Sequence, residues 1–168
     1  MGEINTSPEN YADIIGYTEE VTATIERKDF QRWAAAVGDL NRLYFDQDFA
    51  RANGHPDVVM PPMYLSYAVA RFPLLHELRR DGTRRDRVAY GPLPERVKLP
   101  ERLMAGGEER WFYASVHAGD TISSRRSISN IEQKSGRSGP FFVVTWLGED
   151  RNQHGVLVGK SISAMIAR

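Results

Sequence analysis

Met60-Pro61-Pro62-Met63-Tyr64-Leu65-Ser66-Tyr67-Ala68-Val69-Ala70-Arg71-Phe72-Pro73 is the stretch on which the fold turns. The two adjacent prolines restrict the backbone, and Pro62 suits the first turn of a helix, where a missing N–H costs nothing. The helix expected from Met63 to about Phe72 has apolar or small residues on nearly every face: Met63, Leu65, Ala68, Val69 and Ala70. So little polar surface predicts a buried helix. Pro73 should end or kink it.

Upstream, residues 20–26 alternate, with Val21, Ala23 and Ile25 on one side and Thr22, Thr24 and Glu26 on the other. That is the pattern of a half-buried strand. The period then changes: Phe30, Trp33, Ala34 and Val37 form an amphipathic helical stripe. Asp29 is placed to cap its start and Gly38 to end it in a left-handed conformation. A short helix is expected between Asp46 and Asn53, with Phe49 and Ala52 inward and Gly54 as its stop. Downstream, residues 79–100 hold three prolines and most of an arginine cluster, a long excursion within one domain. Four strand-like runs follow, at 108–117, 121–133, 140–147 and 156–167, separated by glycine-rich turns. Strand, helices, then a four-strand meander make an α+β layer architecture, one buried helix against one antiparallel sheet. Residues 1–15 read as a loose arm, and 16–168 as a single domain.

Composition narrows the function. The 168 residues carry 22 basic and 22 acidic side chains, a formal net charge of zero, which gives no support for nucleic-acid binding. Arg79, Arg80, Arg84, Arg85 and Arg87 cluster locally. They read as a solvated loop, or as a docking site for an anion such as coenzyme A phosphates or an acidic carrier protein. The absence of cysteine excludes disulfides, thiolate zinc sites and cysteine nucleophiles. No apolar run approaches a membrane span and residues 1–10 lack an apolar core, so a cytoplasmic protein is expected. His55, His76, His117 and His154 lack metal-ligand spacing, and neither a phosphate-cradling glycine loop nor a G-x-S-x-G elbow occurs. No metal and no cofactor are expected. His117 and His154 read as surface residues, and Trp111, Phe112 and Tyr113 as sheet and core.

The remaining candidate segment is Gly38-Asp39-Leu40-Asn41-Arg42-Leu43-Tyr44-Phe45-Asp46. Gly38-Asp39-x-Asn41 follows an amphipathic helix, and Pro61-Pro62 opens a buried one about twenty residues on. Gly106-Gly107, Ala118-Gly119-Asp120-Thr121 and Gly136-Arg137-Ser138-Gly139-Pro140 come later. Together these resemble the MaoC-like (R)-specific enoyl thioester hydratases and dehydratases, the nearest branch being their FAS1-like dehydratase domains. The resemblance covers roughly residues 20–168. It implies a hot-dog fold, a curved antiparallel sheet wrapped around a buried central helix, and sites built at a two-subunit interface.

In active hydratases of that family the pattern is Gly-Asp-x-Asn-Pro-x-His, whose aspartate and histidine share the added water as one acid/base pair. Here Asp39 and Asn41 match, while Arg42 stands for the proline and Tyr44 for the histidine. Tyrosine is a poor base near neutrality. Three readings stay open. Asp39 hydrates or dehydrates an enoyl thioester with Tyr44 or with a histidine from elsewhere, His55 being the candidate. Alternatively an amine such as glycine adds to the thioester, its carboxylate held by Arg42, Arg71 or Arg110. In the third, the chain binds acyl thioester without chemistry, beside a catalytic hot-dog partner. The first two suggest a homodimer and the third a heterodimer, with coenzyme A or a carrier protein bearing the acyl group. Pro62 and Tyr64 at the buried helix, and Gly106 and Gly107 through close backbone approach, complete the expected substrate contacts. The enzymatic readings require Asp39 in a dry pocket at the mouth of an acyl channel. Against them stand plain structural roles: an Asx turn at Asp39, a turn at Asn41, core aromatics at Tyr44 and Phe45, and a loop position at His55.

Overall fold

The computed structural model describes Tyr11 and residues 13–70, 78–81, 99, 102–137 and 139–168. Strand β1 (Thr18–Thr24) leads into helix α1 (Arg27–Val37), a 3₁₀ turn (Arg42–Tyr44), helix α2 (Gln47–Ala52) and helix α3 (Tyr64–Ala68). Four long strands follow: β2 (Leu103–Phe112), β3 (Thr121–Gly136), β4 (Gly139–Asn152) and β5 (Leu157–Ala167). All pair antiparallel in one sheet of order β1-β3-β4-β5-β2. With α3 laid against it, this is the hot-dog arrangement that the resemblance implies.

Two features of the strand expectation are corrected. The four late strands do not form one meander, because β1 takes the edge of β3 and β2 pairs with β5 at the opposite edge. The chain crosses between those edges through residues 113–120, bridging back to the approach to α3, where Met60 N donates to Val116 O and Val59 pairs with His117. Strand β2 also begins at Leu103, so Gly106 and Gly107 lie inside it, at a bulge between Ala105 and Gly107. The close approach at Gly106 is to β5: a Cβ there would meet Ala164 Cβ and O at 3.1 Å. Trp111, Phe112 and Tyr113 are exposed rather than core.

The helices differ in detail as well. Gly38 ends α1 at φ 78°, and Asp39 N donates to Ala34 O, as a left-handed cap requires. The N-cap is Glu26, without a side-chain hydrogen bond, and Asp29 sits in the first turn, where its charge favours the helix dipole. Phe30 and Ala34 are buried, but Val37 is exposed. Asp46 caps α2 by accepting from Phe49 N, and the buried residue of that helix is Ala50, with Ala52 outside. Helix α3 buries only one face: Tyr64, Leu65 and Val69 are inside, while Met63 and Tyr67 are exposed. The helix is shorter than the expected Met63–Phe72, ending at Ala68 with Val69 as its C-cap and Ala70 outside it, and residues 71–73, with Pro73, lie outside the described residues.

The sheet face under α3 carries two apolar clusters. One joins α3 and α1 to the sheet through Phe30, Leu65, Val69, Ile122 and Val158. The other, at the far end, includes Ile128, Phe142, Val144, Trp146 and Met165, with Tyr11 and Ile14 packed on it. Those last two belong to the segment read as a loose arm; Gly16 N and Tyr17 O hydrogen-bond to Ile128, which ties it to β3.

Candidate functional site

The cap at Gly38 turns the chain out of α1 and presents Asp39 beside the 3₁₀ turn. Asn41 Oδ1 accepts from Leu43 N at 3.1 Å and so opens that turn, the structural role its residue type favours. Gln31 Nε2 donates to Tyr44 O at 2.8 Å, pinning the turn to α1. Tyr44 is buried against Ala34 and Val59, with the side chains of Asp39 and Asn41 beside its hydroxyl. Burial, and next the Asp39 charge, raise the phenol above its ordinary value. It is therefore a neutral donor at physiological pH and cannot act as the missing base.

Asp39 itself is exposed on the single chain. The dry pocket expected around it is not formed by one subunit. Leu40, Phe45 and Val37 on its flanks are exposed too. A cleft of about 250 Å³ opens nearby, at the Pro62 end of α3, lined by Val59, Met60, Leu65, Phe112 and Tyr113 among others. Val59 joins the two, packing on Tyr44 and lining the cleft.

His55 follows α2, its N donating to Ala50 O, and its ring lies 6.0 Å from that of His117. His117 is half-buried, with Nε2 enclosed and unpartnered, not the surface residue expected. Burial lowers its pKa, with the nearby Asp120 and Asp57 opposing and His55 adding. Tyr64 sits in an aromatic group with Phe30, Trp33 and Tyr67, at 6.3, 5.8 and 5.4 Å. Arg42 pairs with Asp46 at 2.6 Å and lies over the Phe49 ring. The Arg110 guanidinium is held between Glu108, at 2.9 Å, and Asp150, at 3.0 Å. Arg71 and His76 lie outside the described residues, as do Arg84, Arg85 and Arg87; Arg79 and Arg80 are exposed. Among the described residues no group of three or more His, Asp or Glu could hold a metal ion, and no helix is long and apolar enough to cross a membrane.

Sequence reasoning missed a polar band across the sheet face under α3. Register places Arg110, Ser161, Gly148 and Arg126 in one row across β2, β5, β4 and β3. Phe112, Gly159, Asp150 and Ser124 form the next row on one side; Glu108, Ser163, Trp146 and Ile128 form it on the other. The signal was present as Ser124 and Arg126 between Ile122 and Ile128, polar residues at inward period-2 positions.

A helix packed on a five-stranded antiparallel sheet, with an Asp-x-Asn turn following a glycine-capped helix, defines the class as a MaoC-like hot-dog protein. The comparisons agree. The family model described as "FAS1-like, dehydratase domain region" matches residues 13–161, and the chain belongs to that family. A UPF0336 protein from Parafrankia sp. (strain EAN1pec) is 39% identical over 159 residues, 93% of each chain. Among solved structures, the ChsH1-ChsH2 complex from Mycobacterium tuberculosis superposes with TM-score 0.70 at 16% identity, covering 94% of this chain and 93% of that one. The unliganded R-hydratase PhaJ1 from Pseudomonas aeruginosa gives 0.65 at 18%, covering 91% and 81%.

Proposed function

We propose that this protein serves reversible addition and elimination at the β-carbon of an enoyl thioester, as a hydratase or dehydratase. The observation that carries the reading is the Asp39–Asn41–Tyr44 group, set one residue, Val59, from an apolar cleft at the start of α3. In hydration the Cα=Cβ π bond opens as the water oxygen bonds to Cβ, and the carboxylate of Asp39 takes a water proton and returns it to Cα. Tyr44 orients that carboxylate by donating to it. The thioester tail would enter the cleft beside Pro62.

One specific observation favours a second reading. Tyr44 is a neutral donor, and among the described residues no histidine contacts Asp39; the His55 ring lies 6.0 Å from that of His117 instead. An exposed Asp39 flanked by exposed Val37, Leu40 and Phe45 is a surface that another subunit would close. In that reading the chain is the acyl-binding half of a heterodimer whose hot-dog partner brings the base. ChsH1-ChsH2 is itself a complex of this kind of fold.

The test is incubation of purified protein with crotonyl and medium-chain enoyl thioesters, with and without glycine, followed by mass spectrometry. A hydrated product supports the hydratase reading, and an amino-acid adduct supports amine addition. Thioester binding without turnover, together with co-purification of a second hot-dog chain, supports the heterodimer. Neither binding nor turnover would end all three.

A further inference from the structure

The band of polar residues under α3 interrupts what would otherwise be a continuous apolar sheet face. Polar side chains at inward strand positions cost stability unless paired, and they are retained where they serve a function. Here several pair only in part. A cavity of about 150 Å³ opens on the band, beneath Ser66 and Ala70 and above Arg110, Arg126, Trp146 and Ser161, with the Glu108 carboxylate, which holds Arg110, also in its wall. That is room for a group about the size of benzene. Trp146 is 2% exposed and its Nε1–H, which can only donate, has no partner. Ser66 Oγ, also enclosed, has none either. Buried polar groups are rarely left so. Gly148 widens the cavity floor, because a Cβ there would collide with Ser161 Oγ at 2.4 Å.

Charge then selects the ligand. Arg110 is already held by Glu108 and Asp150. Arg126 stands in the same row on the far side of β5 and β4, and its side chain joins no ion pair or hydrogen bond among the described residues. Arg110 and Arg126 are balanced in formal charge by Glu108 and Asp150, but both carboxylates sit on Arg110, so the Arg126 guanidinium, the orphaned indole N–H and the serine hydroxyls are the donors left open. We propose that this cavity is a binding site for a compact carboxylate, held by the Arg126 guanidinium and the Trp146 indole N–H. The carboxylate comes either on the far end of an acyl chain or on a free amino acid. The first source rests on the enoyl-thioester reading; the site itself does not.

The test reads binding, not turnover. The chain has three tryptophans, so three indole N–H resonances are expected in an ¹⁵N spectrum, and Trp146→Phe assigns one of them. Glycine, glutaconyl and crotonyl N-acetylcysteamine thioesters, and 1-butanol are titrated in turn. The Trp146 resonance should move with a carboxylate ligand, at an affinity about tenfold or more above that of crotonyl thioester or butanol, since charge-assisted bonds are the stronger ones. Response to glutaconyl thioester alone assigns the acyl source, and saturation by glycine assigns the amino acid. Arg126→Gln should abolish the difference and Arg126→Lys restore part of it, with circular dichroism confirming both folds. A Trp146 resonance that ignores both carboxylates, responds equally to the neutral ligands, or responds unchanged in Arg126→Gln overturns the proposal. Hydration of crotonyl thioester without any carboxylate response overturns it while leaving the proposed reaction intact.

Discussion

Replacing Asp150 by alanine tests how the polar band is held. Asp150 is 1% exposed and reaches Arg110, whose side chain is 7% exposed, at 3.0 Å. The pair runs from β4 to β2 across β5, in the space that Gly159 leaves open: a Cβ there would lie 3.2 Å from Asp150 Oδ2. Removing one partner of a buried pair costs about 3–5 kcal/mol, because the other charge stays buried. Arg110 would keep Glu108, whose side chain is 38% exposed, so the low end, about 3 kcal/mol, applies. At roughly 2–4 °C per kcal/mol for a chain of this size, thermal unfolding by circular dichroism should shift down by about 6–12 °C. Glu108→Gln, which disturbs only the more exposed contact, should cost within about 1 kcal/mol. Arg110→Met combined with Asp150→Leu should recover most of the loss, since an apolar pair leaves no stranded charge. A fall below about 2 °C for Asp150→Ala would refute the argument that this pair closes the band.

Three further outcomes follow from the same structure. Burial lowers the His117 pKa, so the folded state binds its proton less readily than the unfolded chain. Stability from this group is present above about pH 6.5 and is lost as pH falls below it; urea melts at pH 7.5, 6.5 and 5.5 should show a decline that His117→Gln reduces. Gly38→Ala places a Cβ at φ 78° and should cost about 1–2 kcal/mol in urea unfolding, with Asp39 displaced. Tyr44→His puts an imidazole beside Asp39 and should raise crotonyl thioester hydration by about 10²-fold or more; an unchanged rate would count against Asp39 as the proton-transfer group.

Local signals carried much of the fold. The stripe of Phe30 and Ala34 and the glycine at 38 produced α1 and its cap, because helical period and left-handed termination are decided within a few residues. Alternation produced the strands in the same way. Sheet order was not legible, since β2 could pair with any exposed edge and the choice rests on the crossing at 113–120. Nor could composition reveal that Met63 and Tyr67 face outward, because an apolar helix reads the same whether its outer face meets core or a further subunit. At the site, the motif identified Asp39, Asn41 and Tyr44 as neighbours, and the structure brings the three together. It leaves Asp39 exposed, which no single-chain pattern could foretell. Arg126 and Trp146 escaped notice because their shared cavity depends on the register of four strands.

The proposed reaction depends most directly on the carboxylate at position 39. The initial rate of crotonyl thioester hydration should be compared for the wild-type chain and Asp39→Asn, each in the assembly that turns substrate over. A fall of about 100-fold or more with thioester affinity preserved is the predicted result, as expected for loss of a proton-transfer group. Equal rates would contradict the account.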